Sequence, residues 1–187
     1  MDAASMLESE LSNRYEYWEG GEQLKGLARR WRALSEELFW TSSRIDEEVQ
    51  KSLLASFEET YSEMLVEGPI SVWTFCPHHL LPCHFTVYIG YVPTGKVLGL
   101  SKFSRLAVAL GKRPVMQEQY SREVADVIWE DLKPDGVGVY VLGKHGCMLV
   151  RGVMQSKTYV STSVLRGTFL SEPDVKGEFY SKLGLLK

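Results

Sequence analysis

The sequence predicts an α+β fold: antiparallel strands, a pair of helices between two groups of them, and further helices at the N-terminus. Three observations predict it. Short runs rich in Val, Ile, Phe and Tyr, bounded by Gly and Pro, lie on both sides of a central segment. That central segment, from Ser101 to Leu132, has helical rather than strand periodicity. The first sixty residues contain amphipathic stripes and no strand-like alternation. Strands, two helices, then strands joined by short turns is an α+β order with antiparallel hairpins.

Taken in order, residues 1–20 are polar with scattered aromatics (Tyr15, Tyr17, Trp18), and read as a loose arm, helical in part. From Glu22, the positions Leu24, Leu27, Ala28, Trp31, Leu34 and Leu38 repeat at i, i+3, i+4 and i+7, which predicts a helix to about Trp40. Its Arg29, Arg30 and Arg32 lie within one turn, as on a solvated basic face. Thr41-Ser42-Ser43 is expected to break this helix, and Ile45, Val49, Leu53 and Phe57 to mark a second from about Asp46. Met64–Val66 and Ile70–Phe75 read as strand interrupted by Gly68-Pro69. Phe85–Val92 reads as a strand, Thr94-Gly95 as a turn, and Val97–Leu100 as the strand returning along it.

Ser101 opens a helix with Phe103, Leu106, Ala107 and Leu110 on one face, ended by Gly111 and Pro114. Gln117–Leu132 is a longer helix with Val124, Val127, Ile128 and Leu132 inward, ended by Lys133-Pro134-Asp135-Gly136. Three strands follow at Val137–Leu142, Cys147–Gln155 and Tyr159–Leu165, with Gly143–Gly146 as a tight turn. Glu172–Leu183 closes the chain as a short helix. The expected organisation is an N-terminal arm with helices over 1–60 and one main domain over 61–187.

Composition narrows the function classes. The chain has 187 residues, 44% hydrophobic and 24% charged, enough for one domain with a real core. With 21 basic against 24 acidic residues, the net charge of −3 gives no support to nonspecific nucleic-acid or membrane binding. No apolar run approaches the length of a membrane span, and MDAASMLESEL lacks the basic and apolar regions of a signal peptide. The three cysteines fit a reducing, cytoplasmic setting.

Chemistry concentrates in two fragments, Cys76-Pro77-His78-His79 and Lys144-His145-Gly146-Cys147, which hold three of the four histidines and two of the three cysteines. Thiolate sulfur and neutral imidazole together suit zinc. Cys76 and His79 have ligand spacing, and Cys147 makes a third donor, the number a catalytic zinc takes while leaving one position open. The alternative is a closed structural site completed by His78 or His145. The long separation of Cys76 from Cys147 argues against a small zinc finger.

The words CPHHLLP, GYVPTGKVLGLSKFSRL, KRPVMQEQ, GVGVYV, KHGCMLVRGV and TSVLRGTF, spread over roughly residues 64–180, resemble those of GTP cyclohydrolase I, in that family's order and spacing. The resemblance implies the tunnelling fold: an antiparallel sheet with two helices on one side, joined between subunits into a barrel. It implies a homodecamer of two pentameric rings with active sites between subunits. The implied reaction opens the guanine imidazole ring of GTP at C8, releases formate and forms 7,8-dihydroneopterin triphosphate. The implied cofactor is zinc on Cys76, His79 and Cys147, with His78 and His145 as acid–base groups.

For substrate binding, the resemblance assigns Glu118 to guanine, with Gln117 beside it, and Ser101, Lys102, Arg105 and Arg151 to the triphosphate. A carboxylate suits guanine because N1–H and the 2-amino group are parallel donors. Arg32 matches an arginine that reaches a neighbouring subunit's triphosphate, although the Thr-Pro pair that normally precedes it is absent. Pro77 replaces a family glutamate, Gln119 an arginine, and Cys83-His84-Phe85 a glycine-containing stretch. Cys83 is expected to be a small buried hydrophobe. Two other readings compete: a noncatalytic zinc-stabilised oligomer that binds a purine or pterin, and another tunnelling-fold enzyme such as a deazapurine nitrile reductase. The latter would need a nucleophilic cysteine and no zinc.

Overall fold

The structure, a computed structural model, describes residues 2–14 and 24–185. The chain divides into two compact units, Met1–Trp40 and Thr41–Lys187.

In the first unit, α1 (Ala3–Arg14) packs against α2 (Leu27–Leu38), with Ala4 and Ala28 buried. The expected loose arm is therefore a regular helix over much of its length. The expected start of the next helix at Glu22 lies outside the described residues, and its end falls at Leu38. A helix leaves its first N–H groups without intrahelical partners. Here Glu8 accepts the N–H groups of Gly26 at 2.8 Å and Ala28 at 2.9 Å, and those two hydrogen bonds lower its pKa.

In the second unit, α3 (Ser42–Leu53) begins earlier than expected. Thr41 is extended and its Oγ1 accepts the Arg44 N–H, so Thr-Ser-Ser caps the helix rather than breaking it. Ile45, Val49 and Leu53 are buried along one stripe. Phe57, expected on that stripe, sits instead in the short strand β1 (Ser56–Glu58) and is exposed.

The main sheet has four antiparallel strands in the order β2-β3-β5-β6: β2 (Leu65–Phe75), β3 (Pro82–Val92), β5 (Gly136–His145) and β6 (Val160–Gly167). β2 is continuous through Gly68-Pro69, where the register shifts between Glu67 and Ile70. β4 (Lys96–Leu98) does not return along β3 as expected. β3 already has β2 on one edge and β5 on the other, so β4 pairs with β1, Ser56 opposite Leu98.

α4 (Leu100–Gly111) and α5 (Gln117–Leu132) cover one face. Alternation along β3 sends Cys83, Phe85, Val87, Ile89 and Tyr91 into that layer, all fully buried. Phe85 meets Tyr120 of α5 with ring centroids 5.3 Å apart, and Tyr91 meets Phe103 of α4 at 5.1 Å. On the other face, Tyr88 joins Met64, Phe169, Phe179 and Leu183 in a second cluster. Those last three come from two C-terminal helices and their neighbours, which follow β6.

The segment after β5 departs most from expectation. β5 runs on to His145 where a tight turn was expected. Cys147 then lies on a single helical turn, α6 (Gly146–Leu149), followed by turns up to β6, and not on a strand to Gln155. Gly146 explains the change of direction: a Cβ there would stand 2.5 Å from the Pro82 carbonyl, so only glycine lets the chain turn this close to β3. After β6 come α7 (Thr168–Ser171) and α8 (Pro173–Leu185), the latter close to the expected final helix. No helix among the described residues is long and apolar enough to cross a membrane.

Candidate active site

The loop between β2 and β3 is tied to itself by backbone hydrogen bonds. Cys76 N–H donates to Leu81 O at 2.9 Å, and Cys76 O accepts from Leu80 N–H at 2.8 Å. Closing so short a loop puts Leu80 at φ 52°, a conformation that non-glycine residues adopt at a cost. The result presents Cys76, His78 and His79 on one small platform. Val115 N–H donates to Phe75 O at 3.1 Å, which fixes the entrance to α5 beside the same loop.

α6 brings Cys147 to this platform. The donor atoms of Cys76, His79 and Cys147 all lie within 4.8 Å of one another, and Cys76 Sγ stands 3.6 Å from His79 Nδ1. Tetrahedral bonds of about 2.3 Å to sulfur and about 2.0 Å to nitrogen would space such donors roughly 3.5–3.8 Å apart. Cys76 and His79 already have that spacing and Cys147 lies within 4.8 Å of both, so the trio suits a soft divalent cation in its chemistry and lies close enough to close around one. Burial, followed by the nearby Cys76, pushes the Cys147 thiol up. Arg151 Nη1 donates to His79 Nε2 at 2.9 Å. His78 is exposed, with Nδ1 3.8 Å from Cys76 Sγ and its ring edge-on to His79.

Behind the trio lies a polar cluster that sequence reasoning only half found. Gln117 is 1% exposed, and its amide nitrogen donates to Val141 O (3.1 Å), Val160 O (3.0 Å) and Thr162 Oγ1 (3.1 Å). Carbonyl oxygens only accept, so the amide is oriented and its Oε1 must face His145 Nε2, 2.7 Å away. His145 therefore carries its hydrogen on Nε2 and donates it to Gln117. Its Nδ1 faces the Cys83 thiol at 3.5 Å. Gly143 makes the pair possible, because a Cβ there would overlap Gln117 Oε1. Burial lowers the His145 pKa and the charge of Glu118 opposes it. Burial also pushes Cys83 up to about 11, so it remains a thiol at neutral pH.

Cys83 and Gly143 were not singled out as site residues from sequence. Their signal lies in register: Cys83 pairs across the strands with His145, and Phe85 with Gly143. Partners across an antiparallel pair point to the same face, about 5 Å apart.

The remaining site residues fall in two places. Glu118 opens α5, exposed and within electrostatic reach of His145. Ser101, Lys102 and Arg105 lie on the first half of α4, and Arg105 Nη1 stands 3.7 Å from Glu48 Oε1 of α3. α4 has 12 residues and runs along β2: Gly111 at its end meets Val72 and Trp73, near the loop that carries Cys76 and His79, while Ser104 in its first half donates to Glu67, farther down the strand. At about 1.5 Å of rise per residue, Ser101 is roughly 15 Å of helix away from that end. One chain thus gathers the metal trio, His78, His145, Gln117, Glu118 and Arg151, and leaves the α4 cations apart. Arg32 lies in the first unit, where its guanidinium holds Asp2 at 2.6 Å and Ser5 Oγ at 2.9 Å. The Ser5 N–H and the Arg32 guanidinium bring Asp2 down to about 2.

Comparison with known proteins gives a consistent picture. The GTP cyclohydrolase I family profile matches residues 13–184. The chain is 38% identical to GTP cyclohydrolase 1 of Dehalococcoides mccartyi over 162 residues, 86% of this chain and 84% of that protein. It is 38% identical to the human GTP cyclohydrolase 1 over 160 residues, covering 84% of this chain and 63% of the human one. The Clostridium perfringens GTP cyclohydrolase 1 is 35% identical over 150 residues, 80% of each chain. Among solved structures, an archaeosine synthase QueF-Like in the apo form aligns with TM-score 0.45 and 18% identity, over 59% of this chain and 97% of that one. A profile that spans most of the sequence, with relatives of this identity along most of its length, leads to one conclusion: the chain belongs to the GTP cyclohydrolase I family.

Proposed function

We propose that this chain opens the guanine imidazole ring of GTP at C8, with zinc held by Cys76, His79 and Cys147, releasing formate and forming 7,8-dihydroneopterin triphosphate. The observation that carries the reading is the convergence of a Cys2His trio with Glu118 and the Gln117–His145 pair at one end of the sheet. When bound, zinc supplies a water with its pKa brought near 7. The side chains do the rest. Glu118 accepts N1–H and the 2-amino group of guanine, which orients C8 toward the trio. His78, exposed beside Cys76, delivers a proton to N7 as the ring opens. His145 is held with Nε2 as the donor to Gln117, so its Nδ1 is the nitrogen that can gain or lose a proton.

Arg151 completes this end. His79 Nδ1 is the nitrogen that faces Cys76, so His79 would hold a metal through it and carry its ring hydrogen on Nε2. Arg151, which can only donate, would then turn from His79 to a phosphate oxygen. Ser101, Lys102 and Arg105 supply further phosphate contacts, and their distance from the trio supports a site completed between subunits. That agrees with the homodecamer of two pentameric rings, and Arg32 would serve a neighbouring chain in the same way. Free cysteines fit a cytoplasmic setting.

The test is to incubate the zinc-loaded protein with GTP and follow formate together with the fluorescence of the oxidised pterin. Equimolar formate and pterin are expected. GTP binding without formate would leave a noncatalytic purine-binding oligomer instead.

A further inference from the structure

We propose that Cys83 is a positioning residue for His145: its thiol, placed by strand register, occupies Nδ1 and holds the imidazole as the Nε2–H tautomer facing Gln117. This rests on the catalytic role proposed above for His145.

Three independent features define the arrangement. Cys83 and His145 are direct cross-strand partners on the face covered by the helices, so the sheet itself sets their separation. Gln117 is fully committed through its amide nitrogen, which leaves its oxygen as an acceptor for Nε2–H. Phe85 packs against the same ring with centroids 5.7 Å apart, which blocks one side. A ring clamped at Nε2 and on one side can still swing at Nδ1, and the thiol at 3.5 Å is what fills that position. Sulfur suits the place for two reasons. It is small and apolar enough to be 1% exposed between strands, and its S–H is a donor within reach of Nδ1 at 3.5 Å.

The zinc-loaded full chain is compared with Cys83→Ala and Cys83→Ser. Nitrogen-15 shifts of the His145 ring report the tautomer without turnover, and kcat and KM for GTP are read separately. The wild type is expected to show Nε2–H, and Cys83→Ala a mixture of tautomers. In Cys83→Ala kcat should fall about ten- to a hundredfold, the range for removing a supporting partner, with KM little changed. Cys83→Ser, which keeps a donor, should restore the single tautomer and most of kcat. An unchanged tautomer in Cys83→Ala overturns the proposal. So does a Ser variant that behaves as Ala with lowered Tm and zinc content, because the sulfur would then be packing only. Absence of formate from the wild type would count against the proposed reaction, while the nitrogen shifts would still decide the role of Cys83.

Discussion

The two ends of α4 differ in how complete they are. At its C-terminal end, one chain assembles three metal donors, a buried glutamine, two histidines and a carboxylate, several of them already hydrogen-bonded to each other. At its N-terminal end, Ser101 and Arg105 are exposed and Lys102 is half-buried, and Arg105 makes only a loose contact with Glu48. Under the proposed function, this difference would be a division of labour. Metal and base chemistry needs geometry good to fractions of an ångström, which a single sheet end can supply. Polyphosphate recognition tolerates longer reach, and on that proposal another copy would bring its side chains into place.

Breaking the complete end should cost most. Cys147→Ser is expected to lose nearly all bound zinc and with it all turnover, as metal analysis beside a formate assay would show. Full zinc in that variant would remove Cys147 from the trio. His145→Ala should keep its zinc and bind GTP but lose roughly 10²–10⁴-fold in kcat. A zinc-free His145→Ala would make His145 a ligand, and a fully active one would leave the acid–base work to His78.

Glu118→Ala should keep zinc and weaken GTP by about 10- to 100-fold, since two guanine donors lose their acceptor at about 1–3 kcal/mol. Calorimetric titration measures this directly, and unchanged affinity would end the guanine assignment. Arg105→Ala should raise KM by only about fivefold, because the side chain is exposed and already shared with Glu48. This variant also tests the comparison itself. If the two ends serve each other across subunits, mixed oligomers of Arg105→Ala and Cys147→Ser chains should contain sites with wild-type KM, the metal donors coming from one chain and the arginine from the other. A mixture whose active sites all keep the raised KM of Arg105→Ala would place both ends in one chain.

The smallest effect expected lies on the opposite sheet face. Burial, and then the charge of Lys144, lowers the His84 pKa below the ordinary histidine value of 6.5. The unfolded chain therefore takes up a proton first as pH falls, so the stability His84 contributes is present above pH 6.5 and declines below it. Lys144→Gln should raise the His84 pKa only part of the way, because burial is the larger cause. Proton NMR titration would show it, and an unmoved His84 would remove Lys144 from its surroundings.

Most of the fold was legible because its elements are long and periodic. α5 is found at Gln117–Leu132 as its stripe predicts, and β3 alternates from Pro82 to Val87 before both of its faces are covered. What stayed hidden depends on partners. β4 is three residues long and carries no period, and its pairing with β1 follows from β3 having both edges taken. Cys147-Met148-Leu149-Val150 looks like a strand, but Gly146 folds it into a helical turn against β3. In the site, the trio could be read from residue types and the family words. The Cys83–His145 contact could not, because it exists only through a long-range register that no local spacing reveals.

The small β1–β4 ribbon has a bearing on how this protein could be shortened or lengthened. Gly99 N–H donates to Ala55 O at 3.2 Å and β1 pairs with β4, so the root of α4 is moored to chain that precedes the main sheet, while Leu98 N–H, donating to the Tyr91 hydroxyl at 3.1 Å, ties it to β3 as well. Trimming the protein from its N-terminus past residue 58 would remove the first mooring and leave the second, with Cys76, His79 and Cys147 all retained. Such a fragment would hold the start of α4 by β3 alone. The turn at Gly95, by contrast, has no atom within 4 Å of a Cβ placed there, so extra residues would be accommodated at that tip.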